Sequence, residues 1–206
     1  GGDVRIFHPP ASRFDGVIGG PPCQVFSRLR HLNPKCGEKH GNLIPEYERC
    51  VREATPAWFI MENVPEAPVP SVPGYVVRPE LVRDVWCGGE TSRLRRLSFG
   101  TRAGQPLRIA YPALCRPDPD PAVLAGGGGM RASVAIGGSH KRKRTADGRH
   151  RGGPCDGPRA PLSVLVRAQG LPDGFLHDAP LTAEGKRHAL GNGVPLAMGR
   201  AVARAV

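Results

Sequence analysis

A short apolar run, Phe14-Asp15-Gly16-Val17-Ile18-Gly19-Gly20, ends against two prolines, a cysteine and a glutamine, Pro21-Pro22-Cys23-Gln24. No other stretch constrains the chain as tightly. The run reads as a buried strand that stops in a loop, and glycines followed by two prolines force an abrupt, stiff turn. A cysteine fixed on such a turn is where an α/β fold would place a nucleophile, although a lone cysteine is more often a small buried hydrophobe.

Further elements follow in order. Trp58-Phe59-Ile60-Met61 is a second apolar run, stopped by Glu62-Asn63-Val64 and then Pro65. Thr91-Ser92-Arg93-Leu94-Arg95-Arg96 leads into Leu97-Ser98-Phe99; on a strand that spacing points Arg93 and Arg95 to one face. Gln169-Gly170-Leu171-Pro172 comes next, then Gly191-Asn192-Gly193-Val194-Pro195 ahead of a C-terminal helix. Taken singly, Glu62 is an ordinary strand-end carboxylate, the arginines are a solvated face or a phosphate contact, and the last motif is a turn opening a helix. Five such readings would have to coincide in the order that one reaction demands.

In that order the set closely resembles the DNA (cytosine-5) methyltransferases, over nearly all of residues 1–100 and 160–206. The resemblance implies an α/β, doubly wound, S-adenosylmethionine-dependent (Rossmann-like) methyltransferase sheet lacking its first strand and helix, with a small irregular target-recognition lobe. It implies methyl transfer from S-adenosylmethionine to carbon 5 of a flipped cytosine in double-stranded DNA, by a monomer on DNA. The catalytic set would be Cys23, Glu62, Arg93 and Arg95, with no metal. Asp3, Val4, Pro22, Asn192 and Val194 would hold the cofactor. Gln24, Ser27, Arg28 and Arg30 would meet DNA, as would the basic tract Lys141, Arg142, Lys143 and Arg144.

The chemistry asks for these residue types independently. Carbon 5 of cytosine is a poor nucleophile until a thiolate adds at carbon 6, and cysteine supplies one more readily than serine. Addition pushes electron density onto ring nitrogen 3, where an acid such as Glu62 must hydrogen-bond. Arginines facing the carbonyl at position 2 stabilise charge on that side of the ring. None of these atoms is reachable inside a duplex, so the base must be flipped out.

Two departures qualify the resemblance. Family members open with a glycine-rich loop and an acid that holds the cofactor ribose; here the chain opens at Gly2-Asp3-Val4, and Thr91 stands where glutamine is usual. The expectation is an isolated chain that grips the cofactor weakly. A catalytically inactive DNA-binding remnant, and one half of a split methyltransferase completed by a second polypeptide, both stay open.

Charge agrees with a polyanionic partner: the net charge is +11 and the sequence pI about 10.0. Six cysteines include no Cys-x-x-Cys pair, and Cys36 with His40 is at most half a metal site. No apolar stretch approaches a membrane span, so the expected setting is cytoplasmic and DNA-associated. Residues 1–112 and 162–206 read as a partial catalytic domain. Residues 113–161 read as a Gly/Pro-rich basic linker or a target-recognition region; Ser139 to Arg151 holds six Lys or Arg against one Asp. Leu43, Ile44, Tyr47, Val51 and Ala54 recur at helical spacing with Pro56 as a stop, Thr182 is placed to cap a helix, and Pro195 to open a last one over 196–206.

Overall fold

The structure, a computed structural model, describes residues 2–26, 41–112 and 160–206. The chain divides into two compact units, Gly1–Val82 with Leu94–Arg108 and Ala205–Val206, and Arg83–Arg93 with Ile109–Arg204. Residues 160–204 fall in the second unit with 83–93. The tract from 113 to 159 lies outside the described residues.

The first unit is an α/β body built on a four-stranded sheet. Its strands are β1 (Gly16–Gly19), β2 (Trp58–Asn63), β3 (Val76–Arg83, whose last residue falls in the second unit) and β4 (Leu94–Thr101), in the order β1-β2-β4-β3. β1 runs parallel to β2, with Gly16 opposite Trp58 and Gly19 opposite Met61; β4 runs antiparallel to β2, with Trp58 opposite Thr101 and Asn63 opposite Arg96. The sheet is therefore mixed, as α/β sheets that carry an antiparallel strand beside parallel ones commonly are. β2, covered on both faces and paired on both sides, is a continuous apolar run for that reason. Phe59, Ile60 and Met61 are at most 1% exposed, and burying each such side chain contributes about 1.5–3 kcal/mol.

The helix expected before Pro56 is α1, Ile44–Ala54. Pro45 sits in its first turn, where a missing N–H costs nothing. Its stripe of Ile44, Tyr47, Val51 and Ala54 is buried, and the Tyr47 hydroxyl donates to the Ile60 carbonyl at 2.8 Å. The helix ends at Thr55 in the left-handed region, φ 47°. Expectation and structure part at β1. The run Phe14–Gly20 is not a buried strand: only four residues are extended, and Phe14 and Ile18 are 54% and 67% exposed. β1 is the outermost strand of the sheet and pairs with β2 alone among the described residues.

The second unit is helical where it is described. It holds a 3₁₀ turn at Asp84–Cys87, then α2 (Leu162–Ala168), α3 (Ala183–Asn192) and α4 (Leu196–Ala203). Ala160, Leu165, Val166, Ala168 and Leu190 form its core. The Thr182 hydroxyl accepts the Gly185 N–H at 3.1 Å and caps α3, and Pro195 immediately precedes α4.

Candidate active site

The first unit gathers the ends of three strands. Parallel register carries β1 into Gly20-Pro21-Pro22-Cys23 beside the point where β2 ends in Glu62-Asn63. A Cβ on Gly20 would lie 3.2 Å from Glu62 Oε2, so this glycine gives the carboxylate its room. Asn63, 1% exposed, donates from Nδ2 to the Pro21 carbonyl at 3.1 Å, and its own Oδ1 accepts the Val64 N–H at 2.9 Å. A buried amide needs partners; here they tie the loop leading into Cys23 to the strand that carries Glu62. Cys23 is a half-buried free thiol, and its carbonyl closes the turn by accepting the Phe26 N–H at 2.9 Å.

From the antiparallel strand, Arg95 places Nε 2.7 Å from Glu62 Oε1, with side chains 16% and 19% exposed. Arg95 Nη1 also donates to the Leu94 carbonyl at 2.7 Å. An ion pair this little exposed is weakly screened, although its geometry is not that of a hydrogen bond and Glu62 Oε1 has no hydrogen-bond partner among the described residues. Arg96 points to another partner. Its Nη1 donates to the Pro65 carbonyl at 2.7 Å and steadies the turn after β2, and burial lowers its pKa from the usual arginine value.

Arg93 departs from the sequence reading. It precedes β4 and belongs to the second unit, so it does not share a strand face with Arg95. It is 3% exposed and donates from Nη1 to the Gly191 carbonyl at 3.0 Å. Gln169 ties the same unit together in a similar way. Its side-chain Nε2 donates to the Leu190 carbonyl, and its backbone carbonyl accepts the Leu196 N–H at 2.9 Å. Gly170 turns the chain with φ +70°, a conformation that favours glycine. Asp84, buried at the 3₁₀ turn, accepts both the N–H and the hydroxyl of Thr91, at 2.9 and 2.8 Å. Those bonds give Thr91 a packing role where glutamine is usual.

The remaining site residues are placed as follows. Asp3, Val4 and Pro22 lie in the first unit, Asn192 and Val194 in the second. Asp3 caps a three-residue 3₁₀ turn, Val4–Ile6, accepting the Arg5 N–H at 3.0 Å. Gln24 is exposed on the turn after Cys23. Ser27, Arg28, Arg30 and Lys141, Arg142, Lys143 and Arg144 lie outside the described residues, as do Cys36 and His40. Sequence reasoning does not find Gly20 and Asn63 as positioning residues. The available signal is their adjacency to the two chemical residues at strand ends.

The mixed α/β sheet is that of a methyltransferase-type fold. DNMT2 from Spodoptera frugiperda, in a mutant form, has this fold: TM-score 0.54 at 13% identity, over 89% of this chain and 76% of that one. Residues 2–68 match the C-5 cytosine-specific DNA methylase model. The type II methyltransferase M.AquIA of Picosynechococcus sp. is 52% identical over 50 residues, which are 24% of this chain and 20% of that protein. M.HgiDI of Herpetosiphon aurantiacus is 32% identical over 104 residues, 46% of this chain and 33% of that protein. The matches thus span a fifth to a third of the length of these two relatives. Among the described residues no helix is long and apolar enough to cross a membrane.

Proposed function

We propose that this chain carries catalytic machinery for methylating carbon 5 of cytosine in double-stranded DNA, in an intracellular setting. The observation that carries the reading is the Glu62–Arg95 pair at 2.7 Å, on a strand whose next residue, Asn63, holds the loop leading to Cys23. Carboxylate, guanidinium and thiol are what a cytosine ring needs for activation.

In this reading the Cys23 thiolate adds to carbon 6 of a flipped cytosine, and the carbon 5–carbon 6 double bond opens. Glu62 gives a proton to, or shares one with, ring nitrogen 3, while Arg95 orients Glu62 and faces the carbonyl at position 2. S-adenosylmethionine, when bound, supplies an electrophilic methyl group. After carbon 5 has taken that methyl, loss of its proton to a base restores the double bond and expels the Cys23 sulfur from carbon 6. Arg93, the other arginine assigned to the base, donates to the Gly191 carbonyl in the last motif.

The residues present suit the cofactor. The Asp3 carboxylate is 44% exposed, an acceptor that would take an adenine amino group, and Val4 is half-buried beside it to meet an aromatic ring. Pro22 would add apolar contact; Asn192 and Val194 are assigned from motif order. The decisive experiment is covalent trapping of the full-length gene product on duplex DNA carrying 5-fluorocytosine, with S-adenosylmethionine present. An adduct mapping to Cys23 and lost in Cys23→Ser is expected. An undiminished adduct in that variant overturns the assignment.

A further inference from the structure

The segment that bears Asp3 and Val4 has little of its own to hold it. Its 3₁₀ turn buries no side chain, and Ile6 and Phe7 are 76% and 55% exposed. A turn without an apolar anchor depends on polar contacts for its position. Those contacts converge on one residue of the neighbouring helix. Arg49 Nη2 donates to the Val4 carbonyl at 2.7 Å and to the Phe7 carbonyl at 3.0 Å.

The guanidinium is itself braced. Nε donates to Glu46 Oε2 at 2.8 Å, and Nη1 to both Glu53 oxygens at 2.8 Å. These carboxylates sit three residues before and four after Arg49 on α1, the spacings that bring helix side chains together. His8 closes the arrangement, with Nδ1 3.0 Å from Glu53 Oε2. The helix in turn is fixed to the sheet through Tyr47 and Val51. A rigid path therefore runs from β2 through α1 and the fork of Arg49 to the Val4 backbone.

We infer that Arg49 is a positioning residue for the cofactor: it sets the 3–7 turn, and through it the Asp3 carboxylate, for binding S-adenosylmethionine. The inference rests on the cofactor reading above. The two carbonyls and two carboxylates are met by a planar fork of five N–H donors, which an ammonium cannot reproduce. Lysine at this position should keep the charge and lose the geometry.

The test is the equilibrium Kd for S-adenosylmethionine and S-adenosylhomocysteine, by calorimetry on the full-length gene product. Arg49→Met is expected to weaken both at least tenfold and Arg49→Lys about three- to tenfold, with DNA affinity unchanged. In steady state the KM for S-adenosylmethionine should rise while kcat stays within twofold. Glu46→Gln with Glu53→Gln loosens the brace without removing the guanidinium; its Kd rise should fall between wild type and Arg49→Met, which covers the case in which Arg49→Met does not fold. Asp3→Ala separates the two claims. If Asp3→Ala weakens the cofactor and every folded brace variant binds it within twofold of wild type, the positioning role is overturned. If Asp3→Ala also leaves Kd unchanged, the cofactor assignment of this turn fails first.

Discussion

Asn63 Nδ2 lies 3.1 Å from the Pro21 carbonyl, a single bond between the strand that presents Glu62 and the loop that leads to Cys23. Replacing it by alanine should leave the thiol and the carboxylate intact but free to drift apart. Because catalysis depends on sub-ångström placement, Asn63→Ala should lower kcat by about a hundredfold. Stability should fall by about 1–3 kcal/mol, the usual cost of a buried bond broken on one side. Single-turnover rates set beside thermal melts would separate the two effects; a large loss of stability with an unchanged rate contradicts the positioning role.

The Glu62–Arg95 pair makes a second prediction. Glu62→Gln and Arg95→Ala should each reduce turnover by about two to four orders of magnitude, with duplex affinity within a few-fold of wild type, because in the proposed mechanism their partner is the base and not the backbone. The double variant should be little worse than the worse single one, since residues acting as a unit are not additive. Fully additive losses would show that the two side chains serve separate ends.

Gly20→Ala tests the room around the carboxylate. The new Cβ would stand 3.2 Å from Glu62 Oε2, so the carboxylate must shift by a few tenths of an ångström. A tenfold or greater loss in kcat with an unchanged melting temperature is expected. An unaltered kcat would mean that Glu62 tolerates displacement and is not a tightly placed acid.

How far the site can be read from the sequence differs by residue. The places of Cys23, in the loop after β1, and of Glu62, at the end of β2, are legible because each apolar run is followed by residues that break strands, and the same punctuation locates α1 before Pro56. Arg93 is misplaced by alternation, which assumes a strand, whereas β4 begins one residue later, at Leu94. The burial of β1 is over-read because an apolar run of four is compatible with either a central or an outer strand; only pairing decides. The grouping of 83–93 with 160–204 leaves no local signal, since it comes from long-range bonds such as that of Arg93 to Gly191.

Acidity should act on the α1 brace. The Glu53 carboxyl is held below the usual glutamate value, chiefly by its hydrogen bond from Arg49 and further by His8, although burial opposes the shift. An acid depressed in the folded state stabilises it above the unfolded pKa, about 4.3, and that contribution disappears as pH falls through the lower folded value. Wild type and Glu53→Gln should therefore differ in melting temperature near pH 7, and the gap should narrow as pH falls below the usual glutamate value and through the lower folded one. A gap that does not narrow on acidification would assign the effect to packing instead.

The basic tract Lys141 to Arg144 is testable without a structural account. Neutralising all four should weaken binding to every duplex alike and flatten the dependence of log affinity on log salt, by roughly 0.9 for each phosphate that the tract neutralises. An unchanged slope would mark the tract as a spacer with no part in holding DNA.

β1 has one further consequence, for handling the molecule. The far rim of Gly16–Gly19 offers backbone donors and acceptors that no described strand occupies, and Gly-Val-Ile-Gly carries neither charge nor proline to discourage company. Such rims recruit strands from neighbouring molecules. The 206-residue chain made by itself should thus self-associate as concentration rises, and Ile18→Lys, at a position already 67% exposed, should shift light-scattering mass toward the monomer without touching the chemistry. What limits a preparation of this protein is then set by four residues at the border of its sheet, a few positions short of the thiol.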